Sequence, residues 1–312
     1  MNRQGSSVQA SGIHADAPKT AIEGTTGPQP HRSRGRRFPA PLVTGTALIA
    51  SACLVALISL WWTPFDLTGV DTAGSLLPPL SDGHLLGTDR LGRDVTSQIM
   101  AGARNSLIVG GAATGIAIVV GVVVGLITAA SGRVAREVIT RVIDIGVAIP
   151  ALLVALVLAT VLGPGRATVI AAIVISFVPW AARVSVGPAR QILAREYVEA
   201  AFAYGRSRWY VMMRHVLPNI GSLIAVQAAI MFATAVLAEA ALSFLGVGEP
   251  PPAQSWGRLL SESQSVAHQA PTLVIFPGLA ITAVVLGFML LGNGVHALLD
   301  PHQRRREMEA RE

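Results

Sequence analysis

Six apolar stretches constrain the folding of this 312-residue chain more than any other feature. A helix needs about 20 apolar residues to cross the hydrocarbon core of a bilayer, and each stretch is long enough. They are Pro41 to Trp62, Ser106 to Ala130, Val142 to Leu162, Ala167 to Val186, Ile220 to Leu245 and Leu273 to Leu299. The first exceeds the core of a secretory signal and follows a long polar segment, which predicts a retained span. The sequence therefore predicts an all-α membrane protein with six transmembrane helices.

Composition excludes several classes of protein. Apolar residues make up 52% of the chain and charged residues 13%, which is too apolar for an ordinary soluble domain. The arginines lie between apolar blocks, so nucleic acid is not an expected partner. Cys53 is the only cysteine, and we expect neither a disulfide nor a cysteine metal site within the chain. Lys19, the only lysine, has no glycine frame before it, so the chain lacks an ATP-binding P-loop.

The distribution of basic residues predicts the orientation of the spans. An even number of spans places both termini on one side, and loops rich in arginine resist translocation. With the N-terminus inside, nineteen basic residues are cytoplasmic and five are external. We therefore expect a multi-pass protein of the bacterial plasma membrane with both termini in the cytoplasm.

The polar N-terminal segment, residues 1–39, is rich in Gly, Ser, Pro and Thr and has no apolar periodicity. This composition predicts a disordered cytoplasmic tail. Its last arginines, from Arg32 to Arg37, act as a topology signal or contact anionic lipid. The remainder, residues 40–312, is expected to form one six-helix permease domain with an importer core over about 104–300.

The second span contains two pairs of glycines at a spacing of four, Gly111 with Gly115 and Gly121 with Gly125. Small residues at this spacing let helix backbones approach closely. The pattern predicts that this helix lies in the interior of the bundle.

The connection between the fourth and fifth spans, residues 188–219, is patterned in a way that ordinary loops are not. Its helix-forming residues run to Tyr204, and Gly205 can close a helix in the left-handed conformation. Ser207 can then cap a second short helix, and Leu217-Pro218 is expected to break the chain before the fifth span. Trp209, Tyr210, Met212 and Met213 would give these turns an apolar contact face. The prediction is a helix, a turn and a helix.

Glu199-Ala200-Ala201, then Gly205 and Leu217-Pro218, resembles the EAA loop of ABC importer permeases. The resemblance implies a type I importer permease whose loop docks into a cleft on an ATPase subunit. The residues it implicates in coupling are Glu199, Ala200, Ala201, Gly205, Trp209, Leu217 and Pro218. The simpler alternative is an Arg195–Glu199 helix pair in a solvated basic loop.

Two further segments are similar to the C-type subunits of dipeptide and oligopeptide permeases. They are His84 to Val95, followed by Gly102-Ala-Arg104, and Glu239 to Gly246, followed by Ser255-Trp256-Gly257. Arg90 and Arg93 either pair with Asp89 or Asp94 or contact an external partner. Trp256 is a candidate for the same contact or for an interfacial aromatic belt with Trp61 and Trp62.

Polar groups inside the bilayer are costly and often functional. Glu239, Ser243 and Gln227 are therefore candidates for the translocation path, with structural hydrogen bonding as the alternative. Asp144 and Arg183 lie near the cytoplasmic ends of spans, where they can pair with each other.

The resemblance implies a non-catalytic subunit that translocates di- or oligopeptides by alternating access. The implied partners are a second homologous permease, two P-loop ATPase subunits and an extracytoplasmic solute-binding protein. No cofactor is expected on this chain, because the ATPase subunits use ATP and magnesium. Nickel chelates or other small solutes are alternative cargoes. A carrier driven by ion gradients is the alternative class, but the sequence shows neither inverted repeats nor paired intramembrane acids.

Overall fold

The computed structural model describes residues 40–299, so the predicted N-terminal tail lies outside the described residues. Apart from two isolated β-bridges in one loop, the regular structure of residues 40–299 is helical, as predicted. The α-helices are α1 (Ala40–Ile58), α2 (Val95–Ala130), α3 (Arg133–Ala148), α4 (Ala151–Leu162), α5 (Arg166–Leu193), α6 (Glu196–Ala203), α7 (Arg208–Val211), α8 (Leu217–Phe244), α9 (Trp256–Ser263) and α10 (Thr272–Leu299). A π-helical turn over Met212–Val216 joins α7 to α8.

Five helical segments of the described chain are long and apolar enough to cross a membrane. They are α1, α2, α5, the α7 to α8 segment and α10. The third predicted span, Val142 to Leu162, is wrong as a continuous helix, because α3 and α4 meet there at an angle of 83°. Pro150 has no N–H group, and Ile149 before it takes an extended conformation with ψ of 120°. Counted together as one broken span, α3 and α4 bring the number of candidate spans in the described chain from five to six.

Two other predicted boundaries also move. α2 begins at Val95, well before the predicted Ser106, because Asp94 caps it by accepting a hydrogen bond from the Ser97 N–H at 2.7 Å. α5 continues to Leu193, beyond the predicted Val186. Both helices therefore extend past the apolar stretches that predicted them.

The core of the bundle is built around α2. This helix packs most extensively on α5 and also contacts α1 and α8, while α10 packs on α1 and α8. α2 and α5 run parallel and α8 runs antiparallel to both, which places the connection between α5 and α8 at one end of the bundle. The loop before α2 and the segment after α8 lie at the opposite end.

The glycine pairs of α2 differ in their surroundings. Gly121 and Gly125 are buried against α5, as predicted. Gly111 lies beside Phe232 of α8, whereas Gly115 is exposed, and a Cβ atom added to it would meet no other atom within 4 Å. Only the second pair therefore brings two helix backbones together.

Replacement of Gly125 by leucine should destabilise the bundle. A Cβ atom at this position would lie 2.8 Å from the Ala182 carbonyl oxygen and 2.8 Å from the Ser185 Cβ atom of α5. We expect Gly125→Leu to cost about 1–3 kcal/mol through overpacking and to lower the thermal midpoint of the purified protein. Gly115→Leu in the same helix is the matched control and should leave the midpoint nearly unchanged. Equal midpoints for the two variants would contradict this packing.

Candidate functional site

The connecting element, defined as residues 194–216 between α5 and α8, has the predicted local structure. α6 ends at Ala203, and Gly205 just after it has a φ of +77°, which favours glycine because an added Cβ atom would be strained there. Ser207 then caps α7, since its Oγ atom accepts a hydrogen bond from the Tyr210 N–H at 3.2 Å. The turn between the two helices therefore depends on the positive φ of Gly205 and on the N-terminal cap at Ser207, both of which the sequence predicts.

One face of α6 is open to solvent. Glu199 and Ala200 are exposed, Ala201 is half-buried, and Val198 beside them is fully buried. Among the ion pairs of residues 40–299, none joins Arg195 to Glu199, so the alternative of an internal helix pair is wrong. The Glu199 carboxylate is therefore unpaired within the described chain and available at the surface.

Apolar contacts attach the connecting element to the bundle. Its buried side chains join the ends of α2, α5 and α8 in one cluster. The members of this cluster are Val122, Leu126, Ala129, Ala189, Val198, Val211, Met212, Val216 and Ile220. Met212 is 5% exposed and belongs to this cluster, so the prediction that it forms part of a free contact face is wrong. The connecting element is therefore packed directly on the ends of three helices of the bundle.

The predicted break at Leu217-Pro218 is also wrong. The chain stays helical from Arg208 to Phe244, over 37 residues and about 55 Å. Pro218 lacks the N–H group of a normal turn, and the preceding π-helical turn widens the helix, with the Leu217 N–H bonded to the Met212 carbonyl. Leu217 is half-buried and Pro218 is exposed at the base of the element. One continuous helix therefore joins the connecting element to the opposite end of the bundle.

At that opposite end, the loop before α2 is held by an ion-pair network. The Arg93 Nε atom donates to Asp89 at 2.7 Å, and its Nη2 atom donates to Glu262 of α9 at 2.8 Å. Burial alone would lower the pKa of Arg93, but hydrogen bonds and charge from Asp89 and Glu262 outweigh burial and raise that pKa. Glu262 also accepts from Arg258 at 2.7 Å. Of the two alternatives for Arg93, the structure shows pairing with carboxylates.

Arg90 and Trp256 differ in exposure. Arg90 is exposed, and within residues 40–299 its side chain makes only a 3.5 Å hydrogen bond to Ser265, so it remains a candidate for a partner contact. Trp256 is 2% exposed, and its Nε1 atom donates to the Ile99 carbonyl at 3.1 Å. The expectation of Trp256 in a partner contact or an aromatic belt is therefore wrong for this structure, since the side chain packs against Gly102 of α2. Trp61 and Trp62 are both exposed just after α1.

Glu239 is buried where α2 meets α8. Its carboxylate accepts hydrogen bonds from the Ser106 and Ser243 hydroxyl groups, each at 2.7 Å. Glu239 is 1% exposed, so it joins two helices in this conformation and has no access to a cargo molecule. The Oε1 atom of Gln227, the third path candidate, is buried without a hydrogen-bond partner among the described residues.

Sequence reasoning missed two groups that complete this end of the molecule. Glu262 lies four residues after Arg258 on α9, and this spacing indicates an ion pair on one face of a helix. His84 Nδ1 lies 2.9 Å from Asp94 Oδ1, which ties the loop to the first turn of α2. No local pattern links His84 to Asp94, because the loop must fold before they meet.

The bundle has the fold of an ABC importer permease. It superposes with a TM-score of 0.56 on a chain of the methionine ABC transporter MetNI in an inward-facing conformation. The match covers 65% of this chain and 97% of that chain, at 16% sequence identity. Residues 121–305 match the family described as the binding-protein-dependent transport system inner membrane component. The chain belongs to this family of transport permeases.

Two curated relatives extend the likeness over most of the sequence. The dipeptide transport system permease protein of Alkalihalophilus pseudofirmus is 36% identical over 84% of this chain and 86% of its own length. The glutathione transport system permease protein of Salmonella typhimurium is 37% identical over 86% of this chain and 88% of its own length. The likeness therefore includes the loop before α2 as well as the matched family domain.

The two neighbouring arginines of the loop before α2 should differ in their effect on stability. Arg93→Gln would leave the half-buried carboxylates of Asp89 and Glu262 without their shared cation, so we expect a loss of about 2 kcal/mol in unfolding free energy. Arg90→Gln, the matched control, removes an exposed group and should change stability by less than about 0.5 kcal/mol. Thermal unfolding of the purified variants in detergent measures both. A larger loss for Arg90→Gln would contradict this assignment.

Proposed function

We propose that this chain is the permease subunit of an ATP-driven importer of short peptides in the plasma membrane of a bacterium. The observation that carries the proposal is the exposed α6 face, which bears the coupling pattern and is fixed by its buried side to the spans. The cargo class is supported by the relatives, whose names specify dipeptides and glutathione, itself a small peptide. The orientation follows from the arginine distribution, with both termini and the connecting element in the cytoplasm.

The proposed mechanism transmits force along one helix. Separate ATPase subunits would bind the α6 face through Glu199, Ala200 and Ala201, where small side chains permit close approach. Gly205 sets the turn, and the helix from Arg208 to Phe244 carries the displacement across the membrane. At its far end, Glu239 and Ser106 make α2 move with α8. ATP binding and hydrolysis by these partners would then alternate the access of the path.

The cargo path is proposed to run along a cleft between the broken span, α5 and α8. This cleft has a volume of about 390 Å³ and is mainly apolar, with Ser176, Trp180 and Thr234 as its polar members. The break at Pro150 lies in its wall. A second homologous permease would close the open side, and a solute-binding protein would deliver peptide at the end that carries Arg90. This chain supplies a passage and binds no cofactor itself.

Reversal of the Glu199 charge should abolish uptake without unfolding the protein. Glu199 is exposed and unpaired in the described chain, so Glu199→Lys should leave the amount of membrane-inserted protein unchanged and reduce peptide-stimulated ATP hydrolysis at least tenfold. The measurement is uptake of a labelled dipeptide and a labelled tripeptide by the complete transporter in proteoliposomes, together with its ATPase rate.

Glu137→Lys on α3 is the matched control, since Glu137 is 67% exposed and makes only a 4.0 Å contact with Arg141. It should transport at the normal rate. Full uptake by Glu199→Lys would refute the coupling role. Failure of the unmodified transporter to import either peptide would instead refute the cargo class, and hydrolysis of ATP by the isolated chain would refute the need for separate ATPase subunits.

Labelling of single cysteines tests the proposed orientation. The chain has one cysteine, so Cys53→Ala provides a cysteine-free background. In intact cells, a membrane-impermeant maleimide should label Gln264→Cys, which lies after α9, but should not label Tyr204→Cys in the connecting element. Both positions are exposed. Permeabilised cells should show labelling at both, and the reverse pattern in intact cells would invert the topology.

A further inference from the structure

A groove of about 260 Å³ lies at the end of α2, beside α7 and outside the exposed α6 face. We name it the α2–α7 groove. Its lining residues are Val123, Leu126, Ile127, Ala130, Ser131, Arg208, Trp209, Met212 and Met213. The groove therefore combines side chains from within a membrane span with an arginine and a tryptophan at the edge of that span.

Arg208 lines this groove, and Arg136 contacts Ser131, another of its lining residues. The Nη1 atom of Arg208 donates to the Ala130 carbonyl at 3.4 Å, and the Nη1 atom of Arg136 donates to the Ser131 carbonyl at 3.3 Å. Each guanidinium has five N–H donors, so each keeps donors for another ligand. Neither arginine forms an ion pair with an acid of residues 40–299, and the nearby Glu137 contacts Arg141 instead. The rim thus carries two positive charges that the described chain does not neutralise.

The floor of the groove continues as an apolar strip along α2. Ile127 and Val123 are 54% and 38% exposed, and the strip extends through Val119 to Ile116 on the same side of the helix. From Ile116 to Ile127 it is about 17 Å long, close to half the thickness of the hydrocarbon core. Trp209 is 66% exposed and closes the groove at the level where tryptophan is enriched in membrane proteins.

We propose that the α2–α7 groove binds one anionic phospholipid from the leaflet at this end of the bundle. The phosphate group would be held by Arg136 and Arg208, and one acyl chain would lie along Val123 and Ile127. A lipid fits better than a protein partner because the apolar floor descends about 10 Å below Ala130 into the depth of the span. Trp209 then belongs to the membrane interface and not to the ATPase contact that the sequence predicts.

This lipid would connect two parts that must move together. Arg136 lies in the first turns of α3, whereas Arg208 begins the long helix through α8. A phosphate bound to both arginines bridges these elements beside the connecting element. Bound lipid should therefore stabilise the placement of α3 relative to α7 at the base of the connecting element, and it would leave the exposed face of α6 free.

The test uses the complete purified transporter and counts bound lipids by native mass spectrometry. The probes are dioleoylphosphatidylglycerol, which is anionic, and dioleoylphosphatidylcholine, which has no net charge. We expect preferential retention of one phosphatidylglycerol. Each of Arg136→Gln and Arg208→Gln should weaken it about fivefold, and the double variant about twentyfold, because a basic residue near an anionic surface contributes a factor of this size.

Two controls separate the rim from the floor. Arg195→Gln removes an exposed arginine of the same element outside the groove and should leave retention unchanged. Ile127→Asn should weaken retention through the apolar floor, whereas Leu237→Asn, an equally apolar exposed position on α8, should not. If the glutamine double variant fails to assemble, Arg136→Lys with Arg208→Lys keeps both charges and should still prefer the anionic lipid.

Several outcomes would overturn the site. Equal retention of the two lipids, or unchanged retention in both the arginine and Ile127 variants, would do so. Displacement of the lipid by glycerol phosphate alone would show that the groove takes a free phosphate and has no acyl site. Retention by the isolated chain but not by the complete transporter would show that an ATPase subunit covers the groove.

Discussion

The continuous helical segment from Arg208 to Phe244 is the constraint on which the rest of this structure depends. A membrane interior offers no water to replace a missing bond, so a proline at the entry to a span must be accommodated by the chain itself. The π-helical turn over Met212–Val216 does this before Pro218. As a result, one continuous helix joins the second half of the connecting element to the Glu239 junction.

α2 is the second helix that joins the two ends of the bundle. Gly121 and Gly125 bring it against α5, Ser106 binds Glu239 of α8, and Gly102 receives Trp256 after α8. The Asp94 cap and the Arg93 network then fix the loop that precedes it. α2 therefore makes packed contacts along its length, from the connecting element to the opposite end of the bundle.

The sequence was informative where short-range chemistry decides the structure. Apolar length predicted the spans, and the left-handed Gly205 and the Ser207 cap follow from properties of single residues. The sequence was not informative where one residue type is compatible with two structures, and only tertiary packing decides between them. Pro150 breaks a helix, with an extended Ile149 before it, whereas Pro218 follows a π-helical turn and lies within a continuous helix. Tryptophan is typical of the membrane interface, yet Trp256 is buried. Gly102, over 150 residues away in sequence, has no side chain and leaves space for the indole ring.

The arginines of the two ends are used differently, and this difference bears on orientation. At the end with the loop before α2, Arg93, Arg166 and Arg258 form close ion pairs with carboxylates, which cancel much of their charge. At the connecting end, only Arg141 and Arg183 among the described arginines pair with acids. Loops rich in arginine resist translocation, and arginines without an acidic partner in the described chain are attracted to the anionic inner surface of a membrane. The same unpaired arginines that favour a cytoplasmic connecting end therefore also supply the rim of the α2–α7 groove.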